Sequence, residues 1–421
     1  MARRKSTKRQ VKKQVEKVAK KYPLITFIIV VLLVAAIFVG LFLHKKGIIT
    51  IPFLEKDSTS ESAEAPETSE PPETSEPPET SEPPEGGVIV TDELSIHFLE
   101  LGNGNTGDCT LIDIGDTEIL IDAGSKKNSA PTINAYLEKY CADGTLEYVI
   151  ATHAHEDHIA AFIGNKVGNA RTGVLYEYKV GTLIQFSLTN QPLLTDKGNK
   201  TLYAEYLDAV EYSKSQGATV YTALECWNNE KGASRSYTLA DDITMNFLYQ
   251  KYYEQTTGDE NDYSICMLLT QGSNNYLFTG DLEKDGEASL VANNKLPKCK
   301  LYKGGHHGSP TSSTDALLSA IQPEIVCVCC CAGSDEYTDE PANMFPAQAF
   351  VDRIAPYTQK VYVTTMVADN ANGYQSMNGN IVVSSNGGEV SVNCSNNNTL
   401  LKDTEWFIKN RVMPDAWKKS A

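Results

Sequence analysis

A chain of 421 residues with 41% hydrophobic side chains can bury one sizeable core and still carry appendages, which excludes a wholly disordered or collagen-like protein. Its formal net charge of −17 is unevenly placed: residues 1–22 are dense in Lys and Arg. The stretch from Val88 onward holds the opposite excess, a net of roughly −18. An acidic body repels a polyanion over about a Debye length, roughly 8 Å at physiological salt. That argues against a tight nucleic-acid binder but not against a nucleic-acid substrate gripped by metal ions.

Residues 1–23 read as a basic tail. Leu24 to Leu43 follows as an apolar run broken only by Thr26. About 20 residues at a rise of 1.5 Å span about 30 Å, the thickness of a bilayer's hydrocarbon core. A cleaved signal would close on small residues, whereas His44-Lys45-Lys46-Gly47 comes next. The run therefore predicts an uncleaved single-pass anchor in the cell membrane. Its more basic N-terminal flank is expected in the cytoplasm, and everything after Lys46 outside. His44 is expected to snorkel at the membrane edge.

Residues 44–87 predict a linker. From Glu67 a Glu-Thr-Ser-Glu-Pro-Pro repeat runs to Pro84. Such sequence cannot bury a core; its prolines favour extended polyproline II and its glutamates repel one another. At about 3.1 Å per residue, roughly 30 residues of it reach on the order of 90 Å, enough to hold the next domain off the bilayer.

Residues 88–421 read as one globular domain. Leu94 to Leu99 alternates as a strand, Gly102 to Asp108 is a Gly- and Asn-rich loop, and Cys109 to Ile114 and Glu118 to Gly124 give two further strands. Thr132 to Tyr140 has helical spacing, and Tyr148 to Thr152 is a short apolar strand. Ser264 to Thr270, Tyr276 to Phe278 and Ile325 to Cys330 read as buried strands, Asp315 to Ile321 and Ala347 to Ile354 as short helices. Asn386-Gly387-Gly388, between two alternating runs, signals a hairpin. Strands first, then helices alternating with strands, predict an α/β layered fold of sheets covered by helices. Asn165 to Asp259 carries no readable motif and is where substrate choice is expected to reside. The ten cysteines match no ligand or disulfide framework; Cys327, Cys329, Cys330 and Cys331 read as small hydrophobes of a core strand.

The chemistry concentrates in His153-Ala154-His155-Glu156-Asp157-His158, three imidazoles and two carboxylates within six residues. Directly after a strand, this spacing predicts a loop at a sheet edge whose ligands serve one or two cations. Neutral imidazole with carboxylate suits Zn²⁺, with Mn²⁺ or Fe as substitutes. Asp281 ends the apolar run Tyr276 to Asp281, and His306 and His307 sit in Lys303-Gly304-Gly305-His306-His307-Gly308-Ser309, where glycines permit close backbone approach. Lys303, Ser309, Thr311 and Ser312 are candidates to bind a substrate phosphate. Asp108 and Asp122 are expected to shape loops beside the site, and His97, alternating with apolar residues, to be structural.

Taken together, Glu118 to Gly124, the His153 to His158 cluster, Thr279-Gly280-Asp281 and His306-His307-Gly308-Ser309 resemble the metallo-β-lactamase superfamily. The particular resemblance is to the C-terminal hydrolase domain of ComEC-type DNA-uptake competence proteins. Their Phe-Leu-Asp-Val-Gly-Gln-Gly-Asp motif is matched loosely by Phe98-Leu99-Glu100-Leu101-Gly102 with Gly107-Asp108 following. Their Asn-x-x-Ser strand resembles Asn261 to Ser264, and their Lys-x-x-His-His-Gly-Ser turn resembles Lys303 to Ser309. The resemblance covers Leu94 to about Val392 and omits the anchor, the linker and the multi-helix channel of a competence protein.

It implies a four-layer αββα sandwich with two divalent metal ions at one edge. His153 and His155 would hold the first, Asp157 and His158 the second, Asp281 would bridge both, and one or both of His306 and His307 would complete the set. Catalysis would then depend on Asp157 and Asp281, and a metal-bridging water with its pKa lowered towards about 7 would be the nucleophile. Two departures stand out. No His lies between His158 and His306, leaving His306 to compensate for a missing ligand of the first metal. Where the family carries Gly-His-Pro-His, this chain has Thr338 to Met344, so that Asp339, Glu340 or Asn343 is expected to replace a leaving-group donor. The expected activity is phosphodiester hydrolysis, on a small diester or nucleic acid. A lactam or thioester hydrolase and a surface binding module with a degenerate metal site are the alternatives.

Overall fold

The computed structural model describes residues 93–368 and 373–418. The expected tail, anchor and linker lie outside the described residues. Among those described, no helix is long and apolar enough to cross a membrane.

The described residues open with an antiparallel meander, β1 (Leu94–Phe98), β2 (Thr110–Ile114) and β3 (Thr117–Ile121). Helix α1 (Ala130–Leu137) crosses to β4 (Thr145–Ala151), parallel to β3. Helix α2 (Glu156–Ile163), a small hairpin of β5 (Lys166–Val167) and β6 (Ala170–Arg171), and α3 (Val174–Glu177) lead to β7 (Lys179–Gln185). Helix α4 (Leu202–Ser215) and β8 (Thr219–Thr222) extend the parallel half, and α5 (Ala223–Asn228) leaves for a second sheet.

That sheet begins antiparallel, with β9 (Ser236–Ala240), β10 (Ile243–Leu248), β11 (Cys266–Gln271) and β12 (Asn274–Phe278). It continues in parallel through α6 (Lys284–Asn293), β13 (Leu301–Lys303), α7 (Asp315–Ile321), β14 (Ile325–Ala332), α8 (Gln348–Ile354) and β15 (Val361–Val367). Strand β16 (Tyr374–Ser376) closes its edge. The hairpin β17 (Ile381–Ser385) and β18 (Val390–Cys394) returns to pair with β1, and α9 (Glu405–Asn410) follows. Two eight-stranded sheets result, ordered β18-β17-β1-β2-β3-β4-β7-β8 and β16-β15-β14-β13-β12-β11-β10-β9.

Side-chain alternation puts the sheets face to face. Leu94, Ile96 and Phe98 of β1 and Ile119 and Ile121 of β3 pack against Met245, Phe247, Tyr276 and Phe278 of the other sheet. The alternate residues face outward: Leu111, Leu120 and Val149 lie under Ile133, Phe162 and Tyr206 of the helices. On the far side Leu277, Val326 and Val328 lie under Leu290, Leu317 and Phe350. The architecture is a mixed α/β sandwich with helices outside both sheets. Strand β14 shows why the cysteine run is continuous: Cys327 and Cys329 face the inter-sheet core while Cys330 faces the helices. A strand buried on both faces loses the alternation of a half-exposed one. All ten cysteines are free thiols.

His97 is buried with both ring nitrogens engaged, Nε2 at 2.6 Å from Ser95 Oγ and Nδ1 at 2.8 Å from the Tyr136 hydroxyl. Burial lowers its pKa to about 4, so it is a neutral packing group.

Glu118 is also buried, and its backbone N–H donates to Glu147 Oε2 at 2.9 Å. Burial, then hydrogen bonding to and the charge of Glu147, push its carboxyl up to about 8 from 4.5. A carboxyl that holds its proton more tightly when folded stabilises fully below its unfolded pKa and loses that share as pH rises through the folded value. The urea midpoint should therefore fall between about pH 5 and about pH 8, and Glu118→Gln should flatten that decline. Parallel profiles for the two proteins would contradict this.

Candidate metal centre

Strand β4 delivers the chain to Thr152 and His153 at the edge of the first sheet, and β12 delivers Gly280 and Asp281 from the second. The six-residue cluster is only half a loop. His155 is the N-cap of α2, and Asp157 and His158 occupy the first helical turn. This corrects the all-loop expectation: Glu156 and Asp157 suit a helix N-terminus, where acidic side chains meet unpaired N–H groups.

Backbone hydrogen bonds stitch that turn to the neighbouring loops. Asp108 N–H donates to Asp157 O at 3.0 Å, Ala123 N–H to His158 O at 2.7 Å, and Gly124 N–H to Asp108 O at 2.8 Å. The approach is so close that a Cβ on Gly124 would lie 1.5 Å from the Asp157 carbonyl oxygen.

The imidazoles are oriented from behind. His158 Nδ1 lies 2.8 Å from Asp122 Oδ2, a carboxylate that also accepts from the backbone N–H and hydroxyl of Thr152. His307 Nδ1 lies 2.9 Å from the Cys329 carbonyl and 3.2 Å from Asp108 Oδ1. His153 Nδ1 faces the hydroxyls of Thr152 at 3.1 Å and Ser264 at 3.3 Å. A nitrogen that donates behind leaves the lone pair of the other ring nitrogen free in front.

In front, two groups of ligand atoms form. His158 Nε2 and His307 Nε2 stand 3.3 Å apart; Asp281 Oδ2 is 3.0 and 3.1 Å from them, and Asp157 Oδ2 is 3.2 Å from His307 Nε2. Separately, His153 Nε2 faces His155 Nδ1 at 3.1 Å. Asp281 Oδ1 is buried with no hydrogen-bond donor, only Lys303 Nζ at 3.5 Å. Asp108 also lies within reach of His158, Asp281 and His307. Its oxygens, however, lie on the Nδ1 side of both rings and pair with Lys303, so it orients them from behind.

The electrostatics fit a cation. Burial opposes charge on His158 and His307, yet Asp281 and Asp122 raise the first well above its ordinary pKa, and Asp281 and Asp108 do the same for the second. Burial likewise opposes the Asp281 carboxylate, but His158, His307 and Lys303 hold it well below the usual range. Imidazolium charge thus stands in for positive charge that the buried carboxylates require.

The other expected site residues divide. His306 has its Nε2 3.9 Å from Asp281 Oδ2 and its Nδ1 against Glu283 at 3.2 Å and Thr311 at 3.1 Å, so it lies at the rim. Thr311 donates to Glu283 at 2.9 Å, and Ser309 Oγ meets Thr311 Oγ1 at 2.9 Å, bracing that rim. Lys303 is a correction: it is 3% exposed, paired with Asp108, and donates to Gly280 O at 3.3 Å, so it serves the interior and not a substrate phosphate. His306 and His307 adopt φ of 45° and 54°, a left-handed turn that costs about 1–2 kcal/mol per residue and aims successive rings to rim and centre. A cleft of about 360 Å³, lined by His155, Asp157, His306, Ser309, Tyr337 and Phe345, opens over the ligand atoms. Tyr337 was not anticipated; nothing in its exposed, polar segment marks it.

Residues 102–164 match the metallo-beta-lactamase superfamily. The chain is 31% identical over 84 residues to Recombination protein 2 of Haemophilus influenzae, covering 20% of this chain and 10% of that one. It is 30% identical over 125 residues to Competence protein ComA of Neisseria gonorrhoeae, covering 29% and 17%. The matched stretches thus span under a fifth of those proteins. Among solved structures, the metallo-beta-lactamase fold protein YhfI of Bacillus subtilis aligns over 67% of this chain and 99% of its own, at 13% identity and a TM-score of 0.34. Residues 102–164 thus carry a likeness to the metallo-β-lactamase superfamily, and the matched stretches of the relatives point to competence proteins of the ComEC type.

Two variants probe the assembly. Gly124→Ala should destabilise by about 3 kcal/mol, since backbone meets the new methyl, read as a lowered urea midpoint; an unchanged midpoint would refute the stitching. Asp122→Asn should keep the fold but weaken metal binding about 10- to 100-fold in equilibrium dialysis, by loosening His158. Unchanged affinity would remove Asp122 from that role.

Proposed function

We propose that the chain hydrolyses phosphodiesters with two divalent ions, Zn²⁺ before Mn²⁺ or Fe, outside the membrane in which residues 24–43 anchor it. The observation that carries this reading is the pair of forward-facing ligand groups, His153 with His155, and His158 with His307 and Asp157 gathered round Asp281, beneath an open cleft. When bound, such ions supply a water acidic enough to attack at neutral pH and neutralise charge on the reacting phosphoryl group. The chain's own part is to fix the lone pairs. Asp122, Asp108 and the Cys329 carbonyl hold the rings, and Ser264 accepts the Asp281 N–H at 3.0 Å.

The names of the similar proteins, a recombination and a competence protein, support nucleic acid as the natural diester. The acidic body, with a net of roughly −18 from Val88 onward, favours a short or single-stranded segment over a long duplex.

The purified full-length chain, loaded with Zn²⁺ or Mn²⁺, should hydrolyse bis(p-nitrophenyl) phosphate, and Asp281→Asn should reduce turnover by at least about 100-fold. Hydrolysis of a lactam or thioester with none of the diester would replace this reading with another bond class. A folded chain that retains no metal would point to a binding module.

A further inference from the structure

Tyr337 lies on the segment between β14 and α8 and is 50% exposed, unusual for an aromatic whose hydroxyl is engaged. Its ring stacks on Phe345, with centroids 5.5 Å apart, and Phe345 in turn lies 5.8 Å from the His306 ring and 5.9 Å from that of His307. Its hydroxyl donates to Asp157 Oδ2 at 2.8 Å, the oxygen that also faces His307 Nε2. The phenol therefore reaches from the cleft wall to the point where ligand atoms converge.

Other residues hold this segment in place. Glu336 accepts the Thr106 N–H at 2.9 Å and pairs with Lys126 at 3.1 Å. Gly333 N–H donates to Phe345 O at 2.9 Å, and Arg411 donates to Met344 O at 2.6 Å and Pro346 O at 2.8 Å. With the backbone pinned by its neighbours, the half-exposed ring is left to serve the cleft. The candidates named from sequence for this region fare differently. Asp339 and Glu340 are exposed and do not line the cleft, while Asn343 lines it. A carboxylate there would repel an anionic diester; a phenol offers one O–H donor and no charge.

We infer that Tyr337 is a substrate-facing hydrogen-bond donor, its hydroxyl turning from Asp157 to a non-bridging oxygen of the phosphoryl group. This rests on the phosphodiesterase reading above. The donor strengthens its hold as negative charge grows on that oxygen, which lowers the barrier more than it tightens substrate binding.

The test compares the full-length chain with Tyr337→Phe, each loaded with Zn²⁺, by metal content, bis(p-nitrophenyl) phosphate kinetics and calorimetric binding of inorganic phosphate. The variant should keep its metal and its unfolding midpoint. Its kcat should fall about 100-fold with KM changed less than about threefold, and its phosphate affinity should fall about tenfold. If the variant instead loses metal yet turns over normally per bound ion, Tyr337 only props Asp157 and the inference fails. Wild-type turnover matched by the variant also overturns it, leaving the phosphodiesterase reading intact. A metal-loaded wild type that neither cleaves the diester nor binds phosphate brings down that reading, and the inference with it.

Discussion

Four carboxylates, Asp108, Asp122, Asp157 and Asp281, meet in an interior from which water is almost absent, each no more than 7% exposed. Carboxylates in such surroundings must be neutralised or paired, because their desolvation cost is several kcal/mol apiece. Among the described residues, one lysine and the imidazoles face them; the surrounding carboxylates make His158 and His307 hold protons far more tightly than they would in water, whereas burial makes His153 give its proton up. Everything else at this edge of the sandwich follows from that charge imbalance. Both sheets contribute: β4 supplies His153, the loop before β2 supplies Asp108, and β12 and β13 lead to Asp281 and the two histidines. A face-to-face sandwich brings the strand ends of two sheets to one rim, so that ligands far apart in sequence meet without a long loop.

The division of labour is visible in which nitrogen faces which carboxylate. Asp122 and Asp108 sit behind the rings, on the Nδ1 side, and Lys303 takes up part of the charge of Asp108. Asp157 and Asp281 sit in front with the Nε2 atoms. The left-handed backbone at His306 and His307 serves this division. At this tight turn, one ring goes to the rim beside Glu283 and the next to the interior against the Cys329 carbonyl.

Much of this was legible in the sequence, and for identifiable reasons. Strongly periodic or wholly apolar runs, such as Leu94 to Leu99 and Ile325 to Cys330, form the strands their patterns predict because their burial is one- or two-sided. The His153 to His158 cluster is legible as chemistry because no packing role requires such density. Helix α4 was missed: its buried face mixes Tyr206 and Val210 with Ala204, Ala209 and Ser213, too uneven to stand out as helical periodicity. Lys303 was misjudged because its residue type signals solvent, and only the fold shows Asp108 buried beside it. Tyr337 was invisible because its partner Asp157 lies 180 residues away and its own neighbours read as a solvated loop.

The front-and-back arrangement bears on the kind of substrate. Behind the rings, Asp108 and Asp122 are engaged by Lys303, His158, His307 and Thr152, and leave little charge unanswered. In front, only Asp157 and Asp281 remain to face cations. Under the proposed two-ion occupancy, two dications against two carboxylates leave a net of about +2 at the cleft floor. A neutral lactam or thioester gains little from that excess in its ground state, whereas a phosphodiester arrives with one negative charge and spreads it over oxygens that the ions can hold. The acidic exterior then acts as a filter: it discourages long polyanions at a distance, while the cleft floor attracts a single phosphoryl group that has come within a Debye length. If the proposed phosphodiester reading holds, surface and site would select for a short or locally exposed diester, because the repulsion is spread over the body and the attraction is confined to its edge.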